Sequence, residues 1–389
     1  MRTGLALTVA VAAALALPAA GSPSADPDCT GTYSTATPKV AKKSIRFGVD
    51  PGLAGSVGGV QLPSVPDNLA KDLAAVKALK PARKTVVIRL NRLFWSDGEA
   101  AVKQFKKTAS TYTKAGFEVE LQVRYHPPSG EAGDIVKWQR YVRHVVDVFG
   151  ANRRVVAMTI TNEVNVQFSP NTSDGYYKGA EDALIKGIET AHREAVKRRF
   201  KQLRFGFTYA YRFAPNEDAA FFAYLKAHGG KRFQKALGFV GLDFYPGSVY
   251  PPAMPPGDTY THEFAQAAGV LRDCFAPQAG ITNKTPIWIT ENGVPTGALS
   301  DTQQAAALTQ LVQAAGAYSG TFNITDYRWF NLRDSSSGSP TNLIGTTFSS
   351  DGLLRSDYAR KPSFGAYRAL IAGLGAPSKR RAAVSSAVP

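Results

Sequence analysis

Two glutamates in this chain keep nearly the same company. Glu163 closes the run Ile160-Thr161-Asn162-Glu163, and Glu291 closes Ile289-Thr290-Glu291 just before Asn292 and Gly293. Each ends a β-branched, apolar stretch, where a carboxylate is costly unless it is paired or put to use. Two carboxyl groups facing each other across a gap can break a glycosidic bond. One protonates the leaving oxygen while the other attacks the anomeric carbon or activates water. Other chemistries lack their residues. Gly52, Gly55, Gly58 and Gly59 precede a Pro-containing loop with no Gly-Lys-Ser/Thr, so no phosphate-cradling loop is expected. There is no His-x-x-x-His, no clustered Cys/His set and no serine-nucleophile signature, so neither metal nor cofactor is expected.

The elements that must position these glutamates alternate along the chain. Strands are expected at 45–50, 85–91, 119–125, 155–161, 203–209, 239–245, 287–291 and 321–329. Between them apolar residues recur at helical spacing, as in Leu69, Leu73, Val76 and Leu79, or Ile135, Trp138, Val142 and Val145. Ser300 and Gln303 have the spacing of a capping box. Eight strand-helix units without a break predict an α/β fold, a (β/α)8 TIM barrel. The structural alternative is a doubly wound open sheet. In the barrel, strands four and seven lie on opposite sides of a narrow interior, so both glutamates lean into one mouth. The segments after strands (51–66, 164–175, 246–258 and 334–360) are long and rich in Gly, Pro, Ser and aromatics, as expected of site-bearing loops.

Arg2 followed by an apolar run from Leu5 to Leu17 and then small residues has the layout of a secretory signal peptide, expected at 1–25. A leader at 26–44, a catalytic barrel at 45–375 and a disordered basic tail at 376–389 complete the expected organisation. No other stretch approaches the roughly 20 apolar residues of a membrane span, so a secreted, extracellular protein without a membrane partner is expected. In an exported chain Cys29 and Cys274 are expected to form one disulfide, stapling the leader to the bottom of the barrel. The net charge of +16 falls on clusters such as Lys103, Lys106 and Lys107, or Lys231, Arg232 and Lys235. These read as solvated helix faces, so no nucleic-acid partner is expected, and an anionic wall polymer is the competing reading.

With these motifs the chain resembles the retaining glycoside hydrolases of clan A, over 45–374 in strand order and most sharply at the two glutamates. Its layout is closest to families 5 and 39, and the run from Thr290 to Gly293 is similar to family 1, which usually has Pro where this chain has Val164. The resemblance implies Glu163 as general acid/base and Glu291 as nucleophile. It further implies that Arg89 holds the nucleophile, His126 lines the catalytic subsite, Asn162 binds the sugar 2-hydroxyl, Tyr245 hydrogen-bonds the nucleophile and Trp329 is the platform under the sugar. Family 5 usually has His two residues before that tyrosine, whereas this chain has Asp243. Tyr209, Tyr211, Phe168, Tyr250 and Trp95 are candidate stacking surfaces. The implied activity is cleavage of β-glycosidic bonds in a poly- or oligosaccharide by a monomeric enzyme. It would proceed by double displacement, with the two carboxyl groups about 5–5.5 Å apart. The alternative is a non-catalytic carbohydrate-binding or wall-associated barrel protein.

Overall fold

Eight parallel strands close on themselves in the computed structural model of this protein, which describes Cys29, Pro38 and residues 43–378 apart from 53–55, 58–59, 62–64, 171, 213–214, 298 and 337–348. In chain order they are β1 (Arg46–Asp50), β2 (Val86–Phe94), β3 (Glu118–Arg124), β4 (Val155–Ile160), β5 (Arg204–Ala210), β6 (Phe239–Phe244), β7 (Ile287–Asn292) and β8 (Ile324–Phe330). Each pairs with its neighbours in sequence, and β8 pairs with β1, which makes the expected (β/α)8 TIM barrel. The expected signal peptide, nearly all of the leader and the tail from 379 onward lie outside the described residues. No helix among the described residues is long and apolar enough to cross a membrane.

The strands read as they do because both faces are covered. β4 is buried at every position, its outward side chains meeting helices and its inward ones meeting the barrel interior. Ser300 and Gln303 form the expected reciprocal cap on the helix Asp301–Tyr318. The last helix, Pro362–Leu374, docks its buried Tyr367 by donating a hydrogen bond from Oη to the Gly48 carbonyl, 2.7 Å away.

The barrel interior is not filled by aliphatic layers alone. A ladder of alternating charge descends from the rim: Arg89 to Glu120 (3.3 Å), Glu120 to Arg328 (3.1 Å), Arg328 to Asp326 (2.8 Å), Asp326 to Arg46 (3.0 Å) and Arg46 to Glu118 (3.2 Å). Its upper four members are fully buried, so each charge is tolerated only because its neighbour has the opposite sign. The available sequence signal was the alternation of Glu120, Gln122 and Arg124 with Val119, Leu121 and Val123 along β3. Period two puts the polar set on the inner face.

Cys29 and Cys274 form a disulfide with Cα atoms 5.9 Å apart. Its place differs from the expectation. Cys274 lies within the π-helical turn Val270–Phe275, before the helix reaches its last residue, and the Cys29 carbonyl accepts a hydrogen bond from Arg212, two residues past the end of β5. The bridge therefore holds Cys29 against the flank of the barrel, within reach of the loop after β5.

Candidate active site

Local backbone irregularity aims each glutamate. After β4, Thr161 and Glu163 take φ of +67° and +47°, the left-handed region that non-glycine residues rarely adopt, and this turns the chain sharply at the rim. On β7 the register with β6 slips by one residue: Leu242 pairs with Ile289, but Asp243 pairs with Glu291. Such a bulge re-aims a side chain, and it is how Glu291 and Thr290 come to share the mouth side. Gly293 is required just beyond, because a Cβ there would lie 2.4 Å from the Phe330 carbonyl.

The two carboxyl groups then meet, with an oxygen of Glu163 and an oxygen of Glu291 within 4.8 Å. Their surroundings differ. Glu291 Oε1 accepts from Arg89 Nη1 at 2.5 Å, and Oε2 accepts from Tyr245 Oη at 2.8 Å. Both partners favour the ionised carboxylate. Among the described residues Glu163 accepts a side-chain hydrogen bond from the Ser173 hydroxyl, on Oε2 at 2.9 Å. Burial first, and the neighbouring Glu291 charge second, push its carboxyl up to about 8. Glu163 is thus kept as an acid at neutral pH while two donors converge on Glu291, the asymmetry that a carboxyl pair needs.

Asn162 is nearly saturated. Its Oδ1 accepts from Gln122 Nε2 (2.6 Å) and Thr208 Oγ1 (2.9 Å), and its Nδ2 donates to the Thr172 carbonyl (2.9 Å). Asp174 ties the turn down from below, accepting from the Asn162 and Tyr125 backbone N–H groups and from Arg124. Arg89 is wholly buried, with its guanidinium paired to Glu291 on one side and to Glu120 of the ladder on the other. His126 stands at the rim between the rings of Phe94 and Tyr177, each centroid 4.9 Å away, with Nδ1 2.8 Å from Ser96 Oγ.

Trp329 corrects the sequence reading. It has no exposed surface, its indole N–H donates to the Asp351 carbonyl, and its ring faces Tyr367 on the last helix. Alternation along β8 explains this: Arg328 points into the barrel, so Trp329 points out and Phe330 points in, 6.1 Å from the Tyr245 ring. A one-residue difference at a strand end moves a side chain to the other face. Tyr209 and Trp95 are likewise buried among helix aromatics, and of the other stacking candidates Phe168 is exposed and Tyr211 packs edge-on against Tyr250.

Asp243 was noted in the sequence only as a departure from family 5, yet it is a third carboxyl in the mouth. One of its oxygens lies within 4.8 Å of both glutamates. Its Oδ1 accepts from Thr290 Oγ1 at 2.5 Å, while Oδ2 is buried without a hydrogen-bond partner. Burial, and then the Glu291 charge, raise its titration well above the ordinary carboxylate range. Three convergent carboxyl groups could hold a cation, but here the Arg89 guanidinium already supplies the positive charge. A second triad of this kind, Asp258, His262 and Glu263, lies at the start of an outer helix.

No family model matches the chain, and no curated protein does. Among solved structures, GH5_18 from Streptomyces cattleya in complex with GlcNAc is similar with a TM-score of 0.59 at 17% identity, over 87% of this chain and 83% of its own. The apo structure of β-glucosidase 1317 gives 0.51 at 18%, over 78% and 88%. A family 39 glycoside hydrolase from the gut symbiont Bacteroides cellulosilyticus WH2 gives 0.53 at 16%, over 83% and 62%. At these identities the likeness is one of fold: this chain has the barrel architecture found in glycoside hydrolases.

Proposed function

We propose that this chain is a secreted, retaining glycoside hydrolase that cleaves β-glycosidic bonds of a poly- or oligosaccharide. The observation that carries the proposal is the asymmetric carboxyl pair. Oxygens that approach within 4.8 Å suit the close spacing of a retaining pair, and the pair is asymmetric, with Glu163 kept as an acid and Glu291 held by the Arg89 guanidinium. Glu291, held by Arg89 and Tyr245, attacks the anomeric carbon, and Glu163 gives its proton to the leaving oxygen. Water, deprotonated by Glu163, then releases the sugar from Glu291 with net retention. The free Nδ2 hydrogen of Asn162 serves the 2-hydroxyl, and Phe330 takes the platform role expected of Trp329. Export is supported by the N-terminal sequence and by a disulfide of the kind that persists outside the cytosol.

The test is a panel of polysaccharides and aryl β-glycosides, with Manβ1-4GlcNAc included because a similar GH5_18 structure holds it. Product stereochemistry is followed by NMR. Retention is expected, with Glu163→Ala rescued by azide as a β-glycosyl azide. Azide rescue of Glu291→Ala with an α-configured product would reverse the two roles. No turnover across the panel, with sugar binding intact, would favour the non-catalytic barrel.

A further inference from the structure

The opposite end of the barrel carries a feature that the proposed chemistry does not use. The turns entering β2 to β6 surround a cavity of about 950 Å³. Lys80 and Lys84 line it before β2, Arg153 and Arg154 before β4. Lys201 and Arg204 line it at the start of β5, and Lys235 before β6. Among the described residues none of these seven cations forms an ion pair with a carboxylate. The one acid in the wall, Glu118, is committed to Arg46 at 3.2 Å. Lys84 and Arg154 are fixed in place by hydrogen bonds to the backbone carbonyls of Gly375 and Gly116, so part of the array is preformed.

Scattered surface lysines carry no such meaning, because a solvated charge costs little and needs no partner. Convergence changes the energetics. Cations gathered around one concavity raise its potential together and focus anions into it. His192, in the same wall, registers that field: burial and the charge of Lys235 both lower its titration.

We infer that the cavity at the strand N-terminal ends is a binding site for a phosphate-rich oligoanion, such as a segment of a polyphosphate or polyol-phosphate chain. Arginine forks and lysine ammonium groups are both suited to phosphate oxygens, and phosphates supply negative charge at the density that seven neighbouring cations require. Nucleic acid fits less well. The aromatic residue among the described ones in the wall, Phe205, is 1% exposed, so it opens no platform to a base.

The test is calorimetric binding of tripolyphosphate to the full chain at low ionic strength, beside orthophosphate and a short DNA duplex. Tripolyphosphate is expected to bind more tightly than either, with affinity falling steeply as salt rises. The variant K201E/R204E, both side chains exposed, is expected to weaken it about tenfold or more, with the thermal melt unchanged. The His192 ring should titrate higher when tripolyphosphate is bound, which reports occupancy at this cavity. Absence of tripolyphosphate binding, equal affinity for orthophosphate, tighter binding of DNA, or indifference to K201E/R204E would each overturn the inference. Because the cavity lies on the face opposite Glu163 and Glu291, these outcomes do not depend on whether the chain hydrolyses sugars.

Discussion

The two ends of this barrel handle charge in opposite ways. At the strand C-terminal rim Glu163, Glu291, Asp243 and Asp50 crowd around one guanidinium, that of Arg89. They coexist because some of them keep their protons. Glu163 and Asp50 are each pushed up to about 8, chiefly by burial, and burial likewise raises Asp243 well above the ordinary carboxylate range. At the other end seven cations share a cavity whose one carboxylate among the described residues, Glu118, is paired with Arg46, and water screens them. Buried charge must find a partner or a proton, so the rim is geometrically over-determined; solvated charge need not, so the lower face is free to await a ligand. The ladder from Arg89 to Glu118 joins the two ends and is itself nearly neutral, with Arg89, Arg328 and Arg46 against Glu120, Asp326 and Glu118.

The strongest way to break this contrast is at the rim. Glu291→Ala should lower kcat by about 10⁴-fold or more, because no glycosyl-enzyme can form, and steady-state assays with an aryl glycoside would read it. A loss of tenfold or less would remove Glu291 from the mechanism.

Next comes the ladder. Glu120→Ala strands Arg89 and Arg328 without their shared carboxylate in a fully buried setting. Removing one partner of a buried ion pair costs about 3–5 kcal/mol, which urea unfolding would register. A loss below about 1 kcal/mol would mean that water enters the barrel and solvates the pair.

The pH profile sharpens the division between acid and anion. Glu163 is raised above the ordinary carboxylate range, so it stays protonated as an acid through neutral pH and loses that proton as pH rises through about 8. Activity as kcat/KM should therefore fall on the alkaline side near that value. In Glu163→Gln, assayed with an activated aryl glycoside, that alkaline limb should vanish. A limb that persists unchanged would belong to another group.

The smallest effects are expected at the lower face. Arg153→Ser and Lys201→Ser should leave turnover within about twofold and stability within about 0.5 kcal/mol, since neither side chain is buried or paired. A large loss of activity from either would show that the two ends are coupled through the ladder, and the contrast would fail.

Much of this molecule follows from its sequence. The eight strands fall within a few residues of where β-branched and aromatic runs put them, because parallel strands covered on both faces must be apolar almost throughout. The meeting of Glu163 with Glu291 follows from both residues closing strands at the same rim of a narrow barrel, with only β5 and β6 between β4 and β7. The cysteine pair was legible from compartment and count, though its position on the barrel was not. Tertiary structure decided what depends on a single residue of register or on distance in space. Trp329 and Phe330 exchanged faces because one step along a strand reverses a side chain, and no composition reveals which is which. Asp243 became a third carboxyl of the mouth only once β6 and β7 were paired, which sets it beside Glu291. The basic residues, dispersed over more than a hundred positions and indistinguishable from a solvated surface, became one cavity because barrel closure brings the turns before β2 to β6 to the same end. Periodicity is local and survives in the sequence, whereas convergence of distant side chains exists only after the chain has folded.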